Sequence, residues 1–154
     1  MKDLTVMYDF GTVNESLLSE FMKNYGLTLP KEYIELIQKH NGVQFLENCF
    51  DYIDTNGDIG ESSIGFCAYG NEIGADNIYK FQDHDGLGYG NVIVFGINGR
   101  GDYICFDYRK DLKTDNPSVV IMYHDDFIKE NGYSKMRIIK VANNFDEFLK
   151  LLHD

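Results

Sequence analysis

Val92-Ile-Val-Phe-Gly-Ile97-Asn98-Gly-Arg-Gly-Asp102-Tyr103-Ile-Cys-Phe106-Asp107 contains two apolar runs, 92–97 and 103–106, around a polar, glycine-rich joint. β-Branched and aromatic residues suit a pleated, buried surface, so both runs predict strands. Asn-Gly between two such runs is a strong hairpin signal, because both residues tolerate the positive φ of a tight turn. A third run, Val119–Tyr123, follows after a polar loop. These three runs predict the centre of one antiparallel sheet on which the remaining elements pack.

Working outward, helices flank this core. Thr12-Val-Asn-Glu15 fits a capping box and predicts a helix start near Thr12. Leu17, Leu18, Phe21, Met22 and Tyr25 follow at helical spacing, and Gly26 is placed to end the segment. A second helix is expected from Leu29-Pro30-Lys31-Glu32-Tyr33, with proline in the first turn and Asn41-Gly42 as the close. At the far end Asn144 and Glu147 form a capping pair. Phe145, Phe148, Leu149 and Leu152 then mark the clearest amphipathic helix of the chain. Between these, Val43–Leu46, Cys49–Ile53 and Ile64–Tyr69 suggest short strands around a turn-rich 54–60, and Asn77–Phe81 is a short helix or strand. Residues 83–90 are expected to form a flexible glycine-rich approach, and His124 to Ser134 a polar loop before a weak edge strand, Met136–Val141. No repeat or linker interrupts this order, and one domain over 1–154 is expected.

Composition narrows the function classes. At 154 residues the chain can bury one substantial core. Its 25 acidic and 14 basic residues give a net charge of −11, which repels nucleic acid and anionic membranes and favours basic partners. Cys49, Cys67 and Cys105 are odd in number and lack Cys-x-x-Cys spacing, which argues for buried free thiols over a disulfide framework or zinc site. The N-terminal stretch has no apolar core of signal-peptide length, and no run approaches the ~20 apolar residues of a membrane span. A soluble, cytoplasmic protein is expected.

Motifs for chemistry are sparse. Asp54-Thr-Asn56-Gly-Asp58 begins like a calcium loop, but Ile59 and Gly65 stand where that loop needs Gly and Glu, so a polar hairpin tip is the better reading. The glycines of 96–101 lie between strands with no Walker pattern and no following helix to receive a phosphate. No nucleophile elbow occurs. Asp83-His84-Asp85 and His124-Asp125-Asp126 are the His–carboxylate clusters, and both are placed to reach one edge of the sheet, where a divalent metal or acid–base chemistry is conceivable; solvated loops are the favoured reading.

What remains is an aromatic and acidic region. Tyr89, Tyr103, Tyr108 and Tyr123 accompany Asp83, Asp85, Asp102, Asp107, Asp125 and Asp126. Partly exposed tyrosine beside carboxylates is the composition of a surface that anchors a basic protein. Tyrosines capping the core with their hydroxyls in water would leave the same pattern. The residues alone do not choose between these two.

The order of the signals resembles the SUKH superfamily, which includes a yeast cell-wall synthesis regulator and many bacterial immunity proteins. The resemblance rests on Leu29-Pro30-Lys31-Glu32-Tyr33 running to His40-Asn41-Gly42, and on the 92–107 hairpin with Gly99-Arg100-Gly101-Asp102 at its turn. It continues through Pro117-Ser-Val-Val-Ile-Met-Tyr-His-Asp125 and the closing Val141-Ala-Asn-Asn-Phe-Asp-Glu-Phe-Leu149. It implies an α+β fold with helices against a mostly antiparallel central sheet, no enzymatic activity and no cofactor. For bacterial members it implies neutralisation of a cognate toxin, frequently a nuclease, by direct binding. A general scaffold module is the alternative expectation, and a metal-dependent hydrolase built on Asp83, His84, His124 and Asp125 the remote one.

Overall fold

The structure, a computed structural model, describes residues 3–70 and 74–154. Its centre is the sequence that predicted it: β6 (Val92–Ile97), β7 (Tyr103–Asp107) and β8 (Ser118–Glu130) are adjacent antiparallel strands. They are flanked by β5 (Gly65–Phe66) and β9 (Tyr133–Ala142) in a five-stranded sheet ordered β5-β6-β7-β8-β9. Two smaller sheets stand apart. β1 (Val6–Tyr8) pairs with β2 (Gln44–Phe45), and β3 (Cys49–Ile53) pairs with β4 (Ile59–Ser63). The helices are α1 (Glu15–Tyr25), α2 (Lys31–Lys39), α3 (His84–Leu87) and α4 (Phe145–Leu151). The α+β expectation holds.

The core explains why these helices lie on this sheet. Strand alternation puts Ile104 and Phe106 of β7 on one face, and Phe106 stacks on Phe95 of β6 with ring centroids 4.0 Å apart. Tyr33 of α2 meets both rings edge-on at 5.1 and 5.7 Å, and Phe145 of α4 meets Tyr33 at 5.4 Å. All four rings are fully buried. Burying Tyr33 would strand its hydroxyl, but the Tyr69 hydroxyl lies 2.9 Å away and satisfies it. Asn41, also buried, holds the same segment by accepting from the Tyr69 amide and donating to the Tyr69 carbonyl.

Several local expectations shift. α1 starts later than Thr12 predicts, because Asn14 takes the cap and accepts from the Ser16 amide. α4 keeps its predicted cap, with Asn144 accepting from the Glu147 amide and Glu147 reaching back to Asn143. The β6–β7 joint is not a two-residue Asn-Gly turn. The Gly101 amide donates to the Asn98 carbonyl, and the positive φ of 87° falls on Gly101, which makes a longer bulged connection. The tight turn of positive φ sits instead at Asn131-Gly132, with φ of 53° and 83°. The expected polar loop from His124 to Ser134 is therefore a hairpin, in which β8 runs on to Glu130 and β9 returns from Tyr133.

That ribbon is bent. Between Met122 and Phe127 β8 advances five residues while its partners on β9, Ile138 and Met136, differ by two, so three extra residues form a bulge. The outer half of the ribbon returns toward the start of β6. There the Tyr89 hydroxyl donates to the Met136 carbonyl at 2.9 Å, and the Lys135 ammonium lies 5.3 Å from the Tyr89 ring. Among the described residues no helix is long and apolar enough to cross a membrane.

Candidate functional site

The joint between β6 and β7 builds the first half of the site. The Asn98 side-chain oxygen accepts from the amides of Arg100 and Asp102 at 2.9 and 2.8 Å, which folds the loop back on itself. The same side chain donates to Asp102 Oδ2 at 3.1 Å and to Ser62 Oγ at 3.0 Å. Asp102 is thereby buried at the end of the sheet, 6% exposed, and turns its other oxygen to the neighbouring strand. That oxygen accepts from the His124 amide at 3.0 Å and lies 2.6 Å from His124 Nδ1. Burial pushes the Asp102 carboxyl up, but the His124 amide, the Asn98 amide and the His124 ring together outweigh it and hold the pKa below the ordinary 3.8.

The second half comes from β3 and β4, whose pairing places Phe50 and Tyr52 on the inward face. Phe50 is fully buried against Phe148 of α4 at 5.2 Å. Tyr52 reaches across to the central sheet, where its hydroxyl lies 2.6 Å from that of Tyr123. At the base of this hairpin Cys49 and His153 exchange backbone hydrogen bonds, and His153 Nε2 lies 3.2 Å from Asp51 and 3.9 Å from Glu61. Between the hairpin and the sheet end runs a groove of about 340 Å³ lined by Tyr52, Glu61, Ser62, Asn98, Asp102 and Tyr123.

The sequence-predicted site residues do not converge on one edge. Asp102, Tyr103, Tyr123 and Asp125 lie at the Asn98 end of the sheet, with Asp126 in the β8 bulge paired to Arg137 at 2.8 Å. Asp107, Tyr108 and Tyr89 lie at the opposite end, since Asp107 pairs with Val92 where β6 begins. Asp107 and Tyr103 are four residues apart on β7, roughly 13 Å. Two of the four tyrosines are not partly exposed. Tyr108 is fully buried with its hydroxyl donating to the Thr28 carbonyl at 2.6 Å, and Tyr89 is 7% exposed. Both cap the core from within, without the wet hydroxyls expected of them. Asp83 and Asp85 are exposed, and Asp83 caps α3 by accepting from the Gly86 amide.

The two His–carboxylate triplets are likewise separate. His84 packs beside Tyr25 at 5.6 Å, and its buried Nε2 has no hydrogen-bond partner among the described residues. Among the described residues, the groups that could hold a cation are Asp102, His124 and Asp125, and, unforeseen from sequence, Asp51, Glu61 and His153; Asp83 and His84 belong to neither. The Asp102–His124 pair has the look of a catalytic dyad, yet Ser62 Oγ is engaged by Asn98 and no hydrogen bond joins Ser62 or Cys49 to His124 among the described residues. Burial first, then Glu61, pushes the Cys49 thiol up, which keeps it protonated. The arrangement therefore clamps a turn and presents carboxylates; it aligns no nucleophile with a base.

One sequence signal for this site went unread. Between Lys39 and Lys80 there are seven acidic residues and no lysine or arginine. The β3–β4 hairpin lies in the middle of that stretch. Neither a curated protein nor a solved structure matches the chain. A family model does, described as SMI1 / KNR4 family (SUKH-1), over residues 12–151. Domains of this family are generally non-catalytic immunity or regulatory modules, and nearly the whole of the fold described above falls within the matched span. The chain belongs to the SMI1/KNR4 family, SUKH-1.

Proposed function

We propose that this protein is an immunity-type binding protein: it covers the basic active-site cleft of a cognate toxin, such as a nuclease, and catalyses nothing itself. The observation that carries this reading is the distribution of charge. A net charge of −11 is joined to a 40-residue stretch without lysine or arginine, and that stretch supplies one wall of the groove at the Asn98 end of the sheet. A cleft shaped for nucleic acid is basic, so an acidic surface of this kind complements it and speeds encounter by long-range attraction. Family membership supports binding of a protein partner in general; the toxin is our reading of the resemblance to bacterial immunity proteins, and the charge suits a basic one.

The decisive experiment is co-expression with the product of the adjacent gene, tested as the toxin. Protection of the cells and a stable complex from purified components are the expected results, with association slowing steeply as salt rises. Survival no better than with an empty vector, and no complex, would reject the reading and leave a scaffold role as the alternative.

A further inference from the structure

The outward face of the β3–β4 hairpin is engaged at its base, where His153 lies 3.2 Å from Asp51 and 3.9 Å from Glu61, and leaves a pair of isoleucines exposed toward its tip. Its register pairs Asp51 with Glu61 and Ile53 with Ile59, and strand alternation puts these four side chains on the side opposite Phe50 and Tyr52. Ile53 is 57% exposed and Ile59 77%. The inward side is anchored by the Phe50–Phe148 contact and the Tyr52–Tyr123 hydroxyl pair. The tip is held as well: Asp54 Oδ1 accepts from the amides of Asn56 and Asp58 at 2.9 and 3.0 Å, and the Asp54 amide donates to the Asp58 carbonyl at 2.8 Å. The result is a stiff arm whose end carries two opposed isoleucines among Asp51, Asp54, Asp58 and Glu61.

We infer that this arm docks the proposed toxin, placing Ile53 and Ile59 against an apolar spot ringed by lysine or arginine on the toxin surface. The inference rests on the immunity reading and names the surface that reading requires. An opposed pair of exposed isoleucines costs nothing as a cross-strand contact, but its hydrophobic area is left in water unless something covers it. An apolar centre inside a charged rim is the anatomy of a specific interface. The rim is mostly acidic, because residues 40–79 contain no lysine or arginine; Lys140 of β9 borders the same surface and His153 lies against Asp51 and Glu61, and the acidic excess favours a basic partner. Holding the arm rigid before contact lowers the entropy cost of binding. The arm also borders the groove beside Asp102 and Tyr123, which makes the two parts one continuous surface.

The test uses the full chain, with the purified product of the adjacent gene as the probe. Ile53→Ser with Ile59→Ser is expected to weaken binding by about tenfold or more, as loss of an interface anchor does. Asp58→Asn with Glu61→Gln is expected to lower the association rate several-fold at low salt and little at high salt. Glu20→Gln with Asp111→Asn, both exposed and outside the arm, serves as the charge-matched control and is expected to retain affinity within twofold. All three pairs of substituted side chains lie at the surface, and unchanged thermal melts will show that the fold survives. If the wild type binds and the isoleucine variant binds equally well, the arm is overturned while the immunity reading stands. If the wild type does not bind, the immunity reading fails and the arm with it.

Discussion

Tyr52 and Tyr123 meet hydroxyl to hydroxyl at 2.6 Å, and this contact fastens the detached β3–β4 hairpin to the central sheet. Each tyrosine supplies both a donor and an acceptor, so the pair needs no third group. Burial, followed by the bond to Tyr52, pushes the Tyr123 phenol well above its ordinary range, so the proton stays in place at all working pH. Tyr123→Phe is expected to cost about 0.5–1.5 kcal/mol, the usual net worth of one hydrogen bond. Urea denaturation measures that loss. Hydrogen exchange should also report faster opening of amides in 49–63 than in β6 or β7, and uniform acceleration across the molecule would show that the contact does not act locally.

Asp102 is the other fastening. Asp102→Ala removes the acceptor for the His124 amide and one partner of Asn98 in a buried setting, with an expected cost of about 1–3 kcal/mol. Asp102→Asn keeps the shape and isolates the charge. Because the folded carboxyl titrates below 3.8, its stabilising contribution is complete above that ordinary value and is lost as pH falls through the lowered one. The stability gap between wild type and Asp102→Asn should therefore be constant near neutrality and close below about pH 3.8 in acid-denaturation curves.

His153 has the opposite sign. The Asp154 carbonyl, then the Asp51 carboxylate, raise its pKa above the ordinary 6.5. The protonated ring between Asp51 and Glu61 thus supports the hairpin base fully below 6.5, and this support is lost as pH rises through the raised value. Two-dimensional NMR is expected to show a raised midpoint for His153, lowered again in Asp51→Asn. A midpoint unmoved by Asp51→Asn would count against the pairing.

Gly26 and Gly42 provide a contrast between conformation and space. Both have positive φ, 65° and 61°, but an added methyl at 26 meets nothing within 4 Å while one at 42 comes to 2.7 Å from the Ala68 Cβ. Gly26→Ala should cost about 1–2 kcal/mol, from backbone strain alone. Gly42→Ala carries that strain together with about 1–3 kcal/mol of overpacking. Chemical denaturation of the two variants gives the difference directly.

The parts of the fold that could be read from sequence are those where burial imposes a period. β6 and β7 bury both faces, and α4 carries Phe145, Phe148, Leu149 and Leu152 behind an asparagine cap. The parts that escaped lack such a period. β4 is Ile-Gly-Glu-Ser-Ser, in which the inward position Gly60 is small because the Tyr52 ring lies against it, a Cβ there falling 3.0 Å from Tyr52 Cζ. In the outer ribbon of β8 and β9, Lys129 and Glu130 precede the Asn131-Gly132 turn and Tyr133 is followed by Ser134 and Lys135, so the turn lacks the continuous apolar frame that marks a hairpin. The candidate site failed for a different reason. Composition identified acidic and tyrosine-rich residues, but strand register decides which end of a sheet each one reaches, and Asp102, just before β7, and Asp107, at its end, lie at opposite ends.

Keeping β3 and β4 outside the five-stranded sheet separates an exposed tip from the interior. Ile53 and Ile59 are exposed at that tip, so substitutions there leave the aromatic interior formed by Tyr33, Phe95, Phe106 and Phe145 untouched. The tip is thus a place where side chains can change while the framework beneath stays as it is.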